Sequence, residues 1–507
     1  MAPRPAFLTL ASGQMRLWRS GSGPPLVVLP GLATAAFDAC AETAARFPQA
    51  CVTAFEWPGI GGSAALAFAT LDDVVALLRE AIAMAGLAGA PIVARDLAIV
   101  AARHLGGRML GIDADVAAGW ATHDRRPPDL APRGDGAHLV ALFAHLRDAH
   151  LLEPGQARRA RREGATLPDP LALDRAAVAA GVDPAAYARL WALLLAAARR
   201  DGIAGAESDI DIAGAAATPL PETRAHAGVW RRYVDVDGLD VHVRRAGGGR
   251  PLIALQSAPG SSEPLRGVIE SLAAVRSVHA PDFPGNGDSG KIDGAVDIAR
   301  LARAMLAVAD ASGLDSFDLW GTHTGALVAL ELAILAPARV GRLVMEAPPL
   351  LSGAFSADIL ANYLPPLVPD RWGLHLMQAW NMRRDMFIFW PWYRAERAAI
   401  RPLGLPDVQM LHDWTIGLLK SGMTYDRSYR AAFEYDTRAR LALLTRPALI
   451  CAGPTDMLVD ALREARGLCG VQVEIAATPA TVWYPNQDAA AVAQTLAMYR
   501  AFLTRED

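Results

Sequence analysis

The chain of 507 residues holds four cysteines, Cys40, Cys51, Cys451 and Cys469. They are too few and too scattered for a disulfide framework, and no CxxC pair offers a zinc site. Charge of one sign is also missing. Lys and Arg number 49 against 53 Asp and Glu, a net charge of −4, which removes the electrostatic case for a nucleic-acid partner. No apolar stretch approaches the roughly 20 residues that span a bilayer. The N-terminal MAPRPAFLTLASGQMRLW lacks a basic segment followed by an apolar run, so a soluble, cytoplasmic protein with no membrane partner is expected. The glycines Gly247–Gly249 precede a strand instead of joining strand to helix, and neither HExxH nor a Cys/His cluster occurs. No cofactor and no metal are therefore expected. Histidine is missing too from one particular place, because none follows His412.

What is present is a large apolar fraction, 52%, in a chain long enough for two or three cores. It is written twice. LVVLPGLA is answered by LIALQSAP, and FEWPGIGGS by PDFPGNGDS, with Pro58, Gly59, Gly61 and Ser63 matching Pro284, Gly285, Gly287 and Ser289 (284 − 58 = 289 − 63 = 226). Further on the offset becomes 227, which sets His323 on Asp96. It then becomes 237, where His138, Arg147 and Asp148 match His375, Arg384 and Asp385. Such register marks an internal repeat. Only the second copy continues, into RPALICAGPTDMLVD and a last helix. After the first copy comes a small, acidic, Pro-bearing stretch with a linker's composition. The expected domains are residues 1–204, a linker 205–228, and residues 229–507 with a cap over about 352–442.

In the second copy, short Val/Ile/Leu runs alternate with helical segments, which calls for an α/β fold: a mostly parallel sheet with helices on both faces. Asp282, Pro284, Gly285, Gly287 and Ser289, the turn GTHTGA, and ALICAGPTD ending at Asp456 together resemble the α/β-hydrolase superfamily. The resemblance covers about 235–505 well and 8–200 in degraded form. It implies two α/β-hydrolase-like units, the first lacking the last strands, and a helical cap that forms the substrate pocket of the second. Trp380, Trp390, Trp392 and Tyr425 would give that pocket aromatic walls. Arg384, if it points inward, would favour an anionic substrate.

In the superfamily's GxSxG pattern, glycines let a strand turn sharply into a helix beneath an exposed nucleophile. Gly321 and Gly325 keep the glycines, but His323 stands where the serine belongs. The N–H of Thr324 and one from Ser257 or Ala258 would form the oxyanion hole. The superfamily's acid survives as Asp456. Its histidine has no counterpart, and Trp483 stands at the equivalent position, so the ordinary serine relay cannot operate. An imidazole is longer than a serine side chain, so His323 is expected to touch Asp456 directly and act as general base or nitrogen nucleophile. In the first copy Ala94 and Ala98 replace the glycines around Asp96, which is expected to be structural or vestigial.

Three classes of function follow. The first is hydrolysis of an ester- or lactone-like bond in a bulky apolar or aromatic small molecule. The second is proton abstraction by the same pair in a lyase, isomerase or cofactor-free oxygenase. The third is ligand binding without catalysis. The fusion of two copies also suggests an ancestral homodimer converted into an internal pseudodimer, with further oligomerisation left open.

Overall fold

A computed structural model describes residues 2–152, 165–203, 209–351 and 353–505. It divides into two compact units, Met1–His226 with Pro369–Met377, and Ala227–Val368 with Gln378–Asp507. Among the described residues no single helix is long and apolar enough to cross a membrane.

The first unit is built on six strands: β1 (Arg4–Leu10), β2 (Gly13–Ser20), β3 (Pro25–Leu29), β4 (Cys51–Phe55), β5 (Ile92–Arg95) and β6 (Met109–Ile112). Their order across the sheet is β1-β2-β4-β3-β5-β6. β2 runs antiparallel to both neighbours and the other pairings are parallel. The second unit has eight: β7 (Trp230–Val236), β8 (Leu239–Ala246), β9 (Pro251–Leu255), β10 (Ser277–Pro281), β11 (Phe317–Thr322), β12 (Val340–Glu346), β13 (Ala448–Ala452) and β14 (Val473–Ala477). They are ordered β14-β13-β12-β11-β9-β10-β8-β7. Removing β13 and β14 leaves the strand order of the first unit. The first four strands of the two sheets begin and end at one constant separation, Arg4 to Trp230 and Leu10 to Val236 for the first pair (230 − 4 = 236 − 10 = 226).

The sequence explains the parallel centre of the second sheet. β9 and β11 are short apolar runs buried along almost their whole length, as strands covered on both faces must be. The helix Thr324–Leu335 is almost wholly apolar and buried over its first ten residues, its one carboxylate, Glu331, being paired with Arg440, consistent with a core helix. The amphipathic helix Ile298–Ala311 packs beside it, started by Asp297, whose side chain accepts the Arg300 N–H and satisfies an orphan donor of the first turn.

Two expectations about domain organisation need correction. The supposed linker is not a free tether over 209–226; its residues 205–208 lie outside those described. Ile210 is buried in the core of the first unit. Ala217 N–H donates to Gly23 O, Thr223 Oγ1 donates to Phe7 O, and Arg224 O accepts from Thr9 Oγ1. Low hydrophobicity read as freedom, yet the backbone supplies donors and acceptors whatever the side chains are. Second, Pro369–Met377, expected in the cap of the second unit, belongs to the first. There His375 Nε2 lies 2.9 Å from Asp174 Oδ1. Residue 352, the expected start of the cap, is outside the described residues.

Candidate active site at the turn after β11

β11 ends at Thr322 and the helix begins at Thr324, so the whole change of direction falls on His323, with φ +48° and ψ −115°. A positive φ at a non-glycine residue is strained and persists only when its surroundings enforce it. The enforcement is visible. His323 N–H is held by Glu346 O, while Ala326 N–H and Leu327 N–H return to His323 O. The two flanking glycines are required by space. A Cβ on Gly325 would sit 2.1 Å from Leu255 O, and one on Gly321 would sit 2.3 Å from Gly325 O.

From this position the imidazole reaches the loop after β13. His323 Nε2 lies 2.9 Å from Asp456 Oδ2 and 3.2 Å from Oδ1. Asp456 also accepts the Leu458 N–H at 2.9 Å and the Thr481 hydroxyl at 3.4 Å. Burial pushes its carboxyl up, but His323, the Leu458 N–H and the nearby Arg401 together outweigh that and leave it below its usual value. Asp456 is therefore an anion. With Nε2 engaged as donor, the neutral imidazole carries its lone pair on Nδ1.

Trp483 lies next to the imidazole. The rings meet edge to face at 5.2 Å. The indole N–H is shared between Thr322 Oγ1 and Glu346 Oε2, each 2.9 Å away. Glu346 is a buried second carboxyl at the end of β12 that sequence reading missed. It accepts the Tyr499 hydroxyl at 2.8 Å. Burial pushes it up to about 7, against the Tyr499 hydrogen bond and with help from the charge on Asp456. Two neighbouring carboxyls are thus driven apart: Asp456 is already ionised where Glu346 still holds its proton, up to about pH 7.

Thr324 opens the helix beside His323. The loop after β9 passes so close that Gly325 has no room for a side chain beside Leu255 O and Gln256 O. In that loop Gln256 Nε2 donates to Gly260 O, Ser257 Oγ donates to Ala258 O, and the Ala258–Pro259 peptide is cis.

The predicted substrate residues are dispersed. Trp380 and Tyr425 are fully buried, and the Tyr425 hydroxyl donates to Pro365 O. Trp390 packs edge-on against Tyr363, and Trp392 Nε1 donates to Tyr363 O. These residues hold the cap together. Arg384 is not turned inward; it pairs with its neighbour Asp385 at 3.0 Å. Arg383 is inward, since on the helix Leu374–Ile388 it shares a buried face with Trp380 and Phe387. That i, i+3, i+7 pattern was the available signal. The rings that do approach His323 are Trp483 and Tyr484, the latter at 6.1 Å, and Trp414 stacks in turn on Trp483 at 5.5 Å.

The first unit repeats the turn in another form. Asp96 has φ +46° and its N–H is held by Ile112 O, so the turn survives with Ala94 and Ala98 in place of glycines. Its carboxylate accepts N–H groups of Leu97 and Leu32, and it lies so close to Gly31 that a Cβ there would fall 2.2 Å from Oδ2. The carboxylate itself fills the space beside the turn. Burial pushes it up to about 7, against the nearby Arg95.

Residues 250–374 match the family model described as the alpha/beta hydrolase fold. The candidate carbamate hydrolase RutD of Azorhizobium caulinodans is 28% identical over 230 residues, 45% of this chain and 81% of its own length. The pimeloyl-acyl-carrier-protein methyl ester esterase of Photobacterium profundum is 29% identical over 195 residues, 38% of this chain and 71% of its own. Among solved structures, the enol-lactonase of Burkholderia xenovorans LB400 aligns with a TM-score of 0.41 at 19% identity, covering 54% of this chain and 100% of that one.

Proposed function

Starting from a chain that belongs to the α/β-hydrolase superfamily, we propose that its second unit hydrolyses an ester- or lactone-like bond of a small aromatic or bulky apolar molecule. His323 and Asp456 replace the usual three-residue relay. The observation that carries this reading is the 2.9 Å contact between His323 Nε2 and Asp456, made from the strained position where relatives of this fold mount a nucleophile.

Asp456 fixes the tautomer and stabilises the imidazolium that forms when Nδ1 takes a proton. Nδ1 removes a proton from water, and the water oxygen bonds to the acyl carbon. The carbonyl electron pair moves onto oxygen, facing the N–H groups of Thr324 and of Ser257 or Ala258. Collapse of that intermediate breaks the bond to the leaving oxygen, which takes the proton from His323, so ester and water become acid and alcohol. His323 is 6% exposed. Turnover therefore requires the rings of Trp483, Tyr484 and Trp414 to give way as substrate enters.

The test is a panel of activated aryl esters, lactones and epoxides offered to the wild type, His323→Ala and Asp456→Asn. The expected loss in kcat/KM is about 100-fold or more in both variants, the usual share of a positioned base. Equal residual turnover in all three would leave a ligand-binding protein. Loss of a substrate proton with no oxygen from labelled water in the product would leave proton abstraction without hydrolysis.

We further propose that the two units arose by duplication of one ancestor, with the first retained as scaffold. The shared strand order and the shared positive φ at Asp96 and His323 support this reading.

A further inference from the structure

Two buried guanidiniums in the second unit form no ion pair with a carboxylate among the described residues. Arg383 and Arg401 are each about nine-tenths buried, at 8% exposure. Arg383 spends Nη2 on Pro259 O at 2.9 Å and Nη1 on Met386 Sδ at 3.6 Å; its Nε has no partner. Arg401 donates Nη1 to Met386 O, leaving Nε and Nη2 buried and unsatisfied. An uncompensated buried charge is costly and ordinarily finds a counter-charge. Burial alone lowers Arg383 to about 10, which leaves it a cation at neutral pH.

Their placement ties them to the site. Both are anchored to the same residue, Met386. Arg383 holds the loop expected to supply an oxyanion donor, and its guanidinium lies 5.3 Å from the centre of Trp414. Arg401 lies 5.2 Å from the centre of Tyr484, the ring that meets His323 edge-on, and its charge is felt at Asp456. Below about pH 7, where Glu346 holds its proton and Asp456 is ionised, the two arginines leave this buried region one positive charge in excess. The unused Nε and Nη2 of Arg401 form the side edge of a guanidinium, which matches the two oxygens of a carboxylate.

We propose that Arg401, with Arg383 beside it, is a subsite for a carboxylate carried by the substrate, so the bond presented to His323 belongs to a molecule bearing one free carboxylate. This rests on the hydrolytic reading for the word substrate, but the subsite itself is a binding claim that stands without turnover.

The test has a binding arm and a turnover arm on the full chain. In the first, benzoate, benzamide and inorganic phosphate are titrated by calorimetry into the wild type, His323→Ala and Arg401→Met. Benzoate should bind the first two proteins and lose at least about 30-fold in affinity in Arg401→Met, with neither other probe binding comparably. Removal of an unpaired buried charge should also raise the ligand-free melting midpoint of Arg401→Met, whereas a merely structural arginine would lower it. Should that variant fail to fold, Arg401→Lys keeps the charge but not the fork and should still weaken benzoate at least several-fold. Equal binding of benzamide or phosphate, or unchanged benzoate affinity in the Arg401 variants, overturns the proposal. In the second arm, monomethyl terephthalate is compared with its neutral dimethyl ester. Preference for the monoester that disappears with Arg401 supports the subsite. Equal turnover of both esters overturns it while leaving the hydrolytic reading intact, and benzoate binding without turnover of either does the reverse.

Discussion

Glu346 offers a sharp test of the electrostatics, because its burial has a thermodynamic price that pH can reveal. Its carboxyl is moved from 4.5 in the unfolded chain to about 7 in the folded one. A carboxyl raised in this way binds its proton more tightly when folded. Between those two values the native state holds the proton and the unfolded state does not, so stability falls as pH rises. At 1.36 kcal/mol per pH unit the whole interval amounts to about 3 kcal/mol, present below about pH 4.5 and lost by about pH 7. Glutamine cannot ionise and can keep both neighbours, its carbonyl accepting the Trp483 N–H while its amide donates to a reoriented Tyr499 hydroxyl. Glu346→Gln should therefore flatten the decline. Urea unfolding of wild type and variant at pH 5 and pH 8, followed through tryptophan fluorescence, measures the difference. The variant should gain about 3 kcal/mol on the wild type between the two pH values. Parallel pH dependence in the two proteins would refute the assignment of a protonated, buried carboxyl.

Asp96→Asn should act the same way on the first unit, since Asp96 is raised to about 7 from 3.8; its stabilising effect should grow from about pH 4 to pH 7 while ester turnover by the second unit is unchanged, as paired melting and activity profiles would show. Gly325→Ala forces a methyl group to within 2.1 Å of Leu255 O and should cost about 3 kcal/mol or more, read as an earlier urea midpoint. Gly313→Ala is the control, since nothing crowds that position but its φ is +69°, and its cost should be about 1 kcal/mol. Trp483→Phe removes the indole N–H shared by Thr322 and Glu346 but keeps a ring beside His323; kcat should fall more than KM rises, and comparable changes in both would argue that the indole only fills space.

The mostly parallel character of the sheet was legible because parallel strands buried on both faces read as apolar runs, and the repeat was legible because four strands keep one separation between the units. The contact between His323 and Asp456 followed from a missing histidine and the length of an imidazole. Glu346 was not legible, since nothing in RLVMEAPP distinguishes a buried carboxyl from a surface one. Arg383 was passed over beside Arg384 because adjacent residues on a helix differ by about 100° in direction, and only the phase set by Trp380 and Phe387 separates them. Arg401 lies just after the short helical turn Arg397–Ala399, where no periodicity exists to assign a side. The strap 209–226 misled because its composition describes its side chains, while its attachment is made largely by backbone.

Among the described residues the first unit has no counterpart of β13 and β14, and the helix Pro184–Asp201 packs instead against helices Leu71–Met84, Ala98–Leu105 and Ala114–Thr122. A six-stranded sheet of this order can thus be closed without them. In the second unit those two strands frame Asp456, the aspartate that meets His323, and lead to the tryptophan beside it. The last sixty or so residues are accordingly the part whose departure would remove the proposed site first, leaving behind a body much like the one this chain already carries at its other end.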